Sequence, residues 1–290
     1  MRTETFSTPG PVEVEVRVPA GRVEAQTVDS QETVVELEPM RDNDASAAAV
    51  EDARVEMRER AAGGQHVIVE VRDERGRGFG FWRGAEVLAR VRCPHSTGLE
   101  VEVASADVEA RGRYSEAKVS AASGDVELEH VDGETNVSSA SGDIEVERIG
   151  GRARVSTASG DVEIKRLEGD AQVNAASGDV IVAEASGPLA VNSASGDVVV
   201  RTAEDSVTVK TASGDQLVEE AARGELALQS ASGDIRVGIR RGTKVWLDVR
   251  SRSGDTTSDL EVGDEPPAEG APELELRAQS MSGDIHIGRA

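Results

Sequence analysis

Aromatic side chains are almost missing from this sequence: Phe6, Phe79, Phe81, Trp82, Tyr114 and Trp246 are the whole set in 290 residues. Domains normally draw much of their buried area from such rings, so a core of Val, Ile, Leu and Ala implies thin, repeated layers. Cysteine occurs once, at Cys93, which excludes an intrachain disulfide. Basic charge is scarce as well, with 32 Lys and Arg against 55 Asp and Glu and a formal net charge of −23. Nucleic-acid binders need a basic footprint to displace counterions from phosphate, so nucleic acids and anionic lipid surfaces are excluded as partners. The charge serves solubility instead. No stretch approaches the 18 or so consecutive apolar residues of a membrane span, and Met1–Gly10 shows neither an apolar h-region nor a small-residue cleavage site. The expectation is a cytoplasmic protein without membrane insertion, with surface exposure left open.

What is present is a repeat. Ser-Gly-Asp begins at Ser123, Ser141, Ser159, Ser177, Ser195, Ser213, Ser232, Ser253 and Ser282, and a worn copy stands at Ser105-Ala106-Asp107. From Ser105 to Ser213 the spacing is 18 residues; it then stretches to 19, 21 and 29, as insertions into the loops of an array would produce. Within each copy the residue after Asp is Val108, Val126, Ile144, Val162, Val180 or Val198, and two residues on stand Ala110, Leu128, Val146, Ile164, Val182 and Val200. Glu109, Glu127, Glu145 and Glu163 separate the pair in the first four copies, which is the period of a half-buried strand. The second half of the copy places Val119, Val137, Val155, Val173, Val191 and Val209 inward, after a turn at Gly133, Gly151, Gly169 or Gly187. Each coil therefore holds two short strands and two turns. A left-handed hexapeptide helix would need aliphatic residues where Asp132, Ser138, Glu168 and Asn174 stand, and the Gly-Gly-x-Gly-x-Asp string of calcium β-rolls does not occur. The fold class is all-β, a two-sheet parallel β-solenoid over residues 105–290, with coils about 4.8 Å apart and ends that need capping.

Residues 1–104 read as the N-terminal cap, continuous with the solenoid. Val12–Val18 alternates as a strand, and Ala20–Ala25 resembles a worn coil start. Asp44 through Arg60 reads as a helix of about four turns, capped by Asp44 and carrying Val50, Val55 and Met57 on its apolar side. Gln65–Arg72 and Ala85–Arg92 read as strands around a glycine-rich loop, Arg75–Gly84, whose Phe79, Phe81 and Trp82 suit a plug for the end of the solenoid or, as the alternative, an exposed recognition loop. Gly263–Pro272 reads as a Gly/Pro/acidic loop insertion.

The repeated Ala-Ser-Gly-Asp-Val runs, the segment Val237–Val249 around Trp246, and the closing Ser282–Ile287 together resemble the bacterial β-strand-repeat proteins called putative adhesins, a domain of unknown function. The resemblance covers most of the chain. It implies a solenoid fold, no assigned catalytic residue and a surface role.

Among the side chains that could carry chemistry, the column Asp107, Asp125, Asp143, Asp161, Asp179, Asp197, Asp215 and Asp234 stands first. Carboxylates about 4.8 Å apart repel by just under 1 kcal/mol even in water, so something must offset them. Hydrogen bonds from turn amides and the neighbouring Ser hydroxyl are one answer. Calcium on Asp125, Asp143, Asp161, Asp179, Asp197 and Asp215 is the weaker one, since a single carboxylate per coil is a thin supply for six to eight ligands. The outward column Glu109, Glu127, Glu145 and Glu163 gives way to Ile181, Val199 and Leu217, a candidate contact for a protein partner unless another part of the chain covers it. Cys93-Pro94-His95 lacks a third group to make a catalytic set, and His66, His95, His130 and His286 show no metal-binding spacing. Polysaccharide lyases on β-helices have longer, three-sided coils and act on polyanions that this acidic surface repels. The expected function is a non-enzymatic scaffold without a cofactor, offering a rigid acidic face to an unidentified protein; the alternatives are an exported surface adhesin and a calcium-stabilised structural rod.

Overall fold

In the copy that begins at Ser159 the buried side chains are Val162, Ile164, Leu167, Ala171, Val173 and Ala175, and the same six places are filled inward in the copies around it. The computed structural model describes residues 1–60, 63–72, 84–260 and 272–290. Within these the protein is a parallel β-solenoid with a single helix. Phe79, Phe81 and Trp82, and residues 263–271 of the expected loop insertion, lie outside the described residues.

The chain forms two compact units, Met1–Glu145 and Val146–Ala290. In the first, the long strand Thr97–Ser123 pairs in parallel with Val126–Val131 and Thr135–Ser141. Its other edge pairs with Val12–Val28, where Val23 lies opposite Val108 and Gly21 adopts φ +128°, so the worn coil start at Ala20 is a true rung. Val12–Val28 is not the outermost rung, because its far edge pairs with Gln65–Glu70 and Val87–Pro94. Antiparallel strands then close this end: Arg54–Glu59 on Gln65–Glu70, Glu32–Pro39 on Val87–Pro94, and Arg2–Ser7 on Glu32–Pro39.

The helix is shorter than the sequence suggests. It spans Asp44–Glu51 and is capped by Asn43, not Asp44, the Asn43 Oδ1 accepting the Ser46 N–H at 2.7 Å. Arg54–Glu59, expected to continue it, is a strand instead. Val55 and Met57 are two apart and lie opposite Val69 and Val67, while Arg54 pairs with Glu56 at 2.6 Å and Glu70 at 3.5 Å. A sheet edge in need of a partner outweighs modest helix propensity here.

The second unit repeats the threading at its own end. Gly224–Ser232 pairs with Glu273–Ser282, which in turn pairs with Lys244–Ser251. Ile235–Ile239 likewise pairs with Ile285–Arg289, and that strand with Thr256–Ser258. The copies therefore stack in the order Ser232, Ser282, Ser253, not in sequence order, and the intervals of 21 and 29 residues are a return path, not only loop insertions. Packing explains the order. Leu274, Leu276, Ala278, Ile285 and Ile287 give the last segment an inward apolar row that is buried throughout. After its corner the Ser253 copy offers only the short, fully exposed strand Thr256–Ser258, which suits an end position.

Alternation by twos misses one buried column. After two inward residues each first strand bends and turns in a third: Val131, Ile149, Leu167, Ala185, Ala203 and Ala221. Across the following turn, the second strand opens with Thr135, Ala153, Ala171, Leu189, Val207 and Leu226, also buried. The two positions trade volume: Ile149 and Leu167 go with Ala153 and Ala171, whereas Ala185, Ala203 and Ala221 go with Leu189, Val207 and Leu226. Close packing holds each rung's volume nearly constant. Leu189→Ala should thus cost about 2–5 kcal/mol in denaturant unfolding, and adding Ala185→Leu should recover most of it by recreating the arrangement of the Leu167 rung. No recovery in the double variant would refute the volume trade.

Candidate interaction surfaces

The Ser-Gly-Asp corner is built by backbone geometry. Gly178 holds φ +109°, and a Cβ there would meet the Gly160 carbonyl oxygen at 2.2 Å, so no side chain fits. The Asp that follows links to the next coil through its side chain. In the first unit the Asp125 N–H donates to Asp107 Oδ1 at 3.3 Å and the Asp143 N–H to Asp125 Oδ1 at 3.0 Å. In the second, the amides of Asp179, Asp197, Asp215 and Asp234 donate to the carboxylates of Asp161, Asp179, Asp197 and Asp215 at 2.7–2.8 Å. The run continues through Asp284 onto Asp234 at 2.9 Å and Asp255 onto Asp284 at 2.8 Å, following the spatial order of the copies. A charge-assisted bond from a main-chain amide offsets the repulsion along the column. The donors come from the neighbouring coil, not from the same turn. Among the described residues no group of three or more His, Cys, Asp or Glu is arranged to hold a metal ion.

The outward column falls in register as its spacing requires. Ile181 lies opposite Val199, and Val199 opposite Leu217. Glu163 precedes the three and Arg236 follows them. All three are half-buried, each shielding the next at the coil spacing. Glu109 and Glu127 occupy the same column in the first unit, directly paired.

The end of the second unit was not foreseen as a site. In Lys244–Ser251 the residues Val245, Leu247 and Val249 continue the inward row of Leu274, Leu276 and Ala278. Leu247 is nevertheless 44% exposed and Trp246, on the outer side, 75%. Both stand in the segment that carries the family resemblance, yet the alternation alone does not say that this strand is outermost.

Against known families, a Toastrack DUF4097 model matches residues 23–220 and again 155–288. The chain belongs to this family. The two matches overlap, as a repeat of constant length permits in more than one register. No curated protein matches the sequence. Three solved structures are similar to this Toastrack chain. A putative cell adhesion protein from Clostridium sporogenes shares 8% identity over 100% of this chain and 99% of its own, with a TM-score of 0.29. A putative adhesin from Bacteroides fragilis shares 11% over 98% and 96%, with a TM-score of 0.41. A putative adhesin from Parabacteroides distasonis shares 13% over 82% and 94%, with a TM-score of 0.38. Among the described residues of the Toastrack fold no helix is long and apolar enough to cross a membrane.

The remaining reactive groups are held separately. Cys93 is fully buried, its Sγ lying 3.7 Å from the Gln26 carbonyl, and burial pushes the thiol up to about 11 against the opposing hydrogen bond with Thr97. A thiol so far above neutrality is a poor nucleophile. His95 Nδ1 bonds Thr27 Oγ1 at 3.0 Å. His66 sits 3.0 Å from Glu15, His130 3.1 Å from Asp132, and His286 3.0 Å from Thr257, so each imidazole has its own neighbour. Arg240 is gripped by two carboxylates, Glu204, at 3.0 Å through Nη1, and Glu220. The pair of carboxylates drives the guanidinium further upward, and hydrogen bonding to Arg240 holds Glu204 below its ordinary value of 4.5.

Two outcomes follow from these contacts. A carboxylate depressed in the folded state stabilises the fold above its unfolded value and loses that contribution as pH falls through the folded one. Arg240→Ala should therefore lower the melting temperature at neutral pH, with the difference from the parent shrinking below about pH 4.5. A difference that persists unchanged at pH 3 would assign the loss to packing. Because the Asp carboxylates are engaged by amides, thermal melts with chelator and with added calcium should coincide; a calcium-dependent rise would instead support a cation-stabilised rod.

Proposed function

We propose that this Toastrack chain is a non-enzymatic binding scaffold that presents a rigid outer face to another protein. The observation that carries the reading is the Ile181, Val199 and Leu217 column, three aliphatic side chains held outward in register where the flanking copies carry charge, Glu163 before and Arg236 after. Outward aliphatics cost solubility and contribute nothing to the inward core, so their recurrence in three successive coils suits a contact surface. Rigidity supports the same reading: in the second unit amide-to-carboxylate bonds link the corner carboxylates from Asp161 to Asp234 and on through Asp284 to Asp255, which fixes the coil register, so the face is organised before a partner arrives and little ordering entropy is lost on binding. The acidic surroundings favour a partner whose apolar patch is rimmed by Lys and Arg. The buried thiol and the histidines, each set beside a different neighbour, fit a binding role better than a catalytic one.

The test is a comparison of the parent with Val199→Lys in crosslinking and affinity capture from the native host. Partner association should fall at least about tenfold, the size of effect expected for a charge placed in an apolar contact, while the melting temperature stays close to the parent's. Equal association by both proteins would remove the column as the contact.

A further inference from the structure

Among the described residues of the second unit, the large apolar side chains that remain exposed lie on its last two rungs: Trp246 and Leu247 on the outermost strand and Met281 on the one beneath. Lys244–Ser251 uses one edge to pair with Glu273–Ser282, and among the described residues no strand pairs with the other. The outermost parallel rung of the first unit, by contrast, is covered by antiparallel strands. An open edge backed by an uncovered apolar row is a template for one more strand. Charge selects which strand. Residues 240–252 carry Arg240, Arg241, Lys244, Arg250 and Arg252 against Asp248 alone, in a chain of net charge −23. Arg240 is taken up by Glu204 and Glu220, and Arg250 by Asp248 at 3.1 Å. Arg241 and Arg252 are exposed, flank the strand at its two ends, and have no ion-pair partner among the described residues. A second copy of the chain would bring the same basic row against itself.

We propose that the free edge of Lys244–Ser251 takes an extended acidic segment of another protein as an added strand. Its alternate apolar residues cover Leu247 and Val249, and its carboxylates meet Arg241 and Arg252. The proposal rests on the scaffold reading but uses a surface separate from the Ile181 column.

Trp246 is the reporter, in the full chain carrying Trp82→Phe so that its emission is read alone. The probe is a synthetic peptide of ten residues alternating Glu and Val; the controls are the matching Lys and Val peptide and a Glu and Val peptide broken by central prolines, which cannot donate to a ladder. A saturable blue shift is expected with the first peptide and neither control. It should weaken at least tenfold in Arg241→Glu/Arg252→Glu and, in the parent, with rising salt. No shift with the acidic peptide, or the same shift with the proline-broken one, would overturn the proposal. So would a shift on concentrating the protein alone with dimers in sedimentation, which would give the edge to a second copy. Val199→Lys should leave this titration unchanged, so loss of peptide binding with intact Val199-dependent association would sink the end-strand proposal and spare the scaffold reading.

Discussion

Successive coils within each unit are joined at the Ser-Gly-Asp corner, and the bond that makes the joint specific is the one from an Asp amide to the carboxylate of the Asp one coil away. Main-chain bonds flank it. In the second unit the Gly196 N–H donates to the Ser213 carbonyl at 3.3 Å and the Val198 N–H to the Asp215 carbonyl at 2.9 Å. Between these two, where the glycine's positive φ swings the backbone aside, a side chain supplies the acceptor. Glycine is needed because a neighbouring carbonyl occupies the place of a Cβ, and Asp because its short carboxylate reaches one coil spacing. A column of like charges thus becomes a column of hydrogen bonds.

That corner also explains how the second unit tolerates a rung out of sequence order. The Asp284 amide reaches Asp234 and the Asp255 amide reaches Asp284 with the geometry of any other pair. Stacking reads the local pattern of corner and inward row, not chain order, because each rung touches only its neighbours. With Leu274, Leu276, Ile285 and Ile287 the final segment has the better apolar row, and burying it on both sides releases more area from water than burying Val245 and Thr256–Ser258 would. The same economy places Val12–Val28 one rung in from the end of the first unit.

Function, in this reading, lives on what the stack leaves uncovered. Inward positions are fixed by packing, and the corner is fixed by hydrogen bonding. The outer columns are free to vary, and they do, from glutamate to Ile181, Val199 and Leu217. Among the described residues the edge of Lys244–Ser251 is left open for a different reason: a stack must stop somewhere, and the described strands of this unit stop on one that keeps its tryptophan outside.

The sequence by itself determined the coil length, the two strands per coil, the corner residues and the columns that include Val162, Ile164 and Val173, because a repeat writes the same physical demand many times over. It also placed Ile181, Val199 and Leu217 on one line, since register follows from constant spacing. Tertiary structure alone decided three things. Arg54–Glu59 became a strand because an edge lay beside it. The inward turn of Leu167 and its equivalents depends on a bend that period-two counting cannot see. The order Ser232, Ser282, Ser253 depends on comparing the burial of whole rungs, an energy that belongs to pairs of segments distant in sequence and to neither one alone.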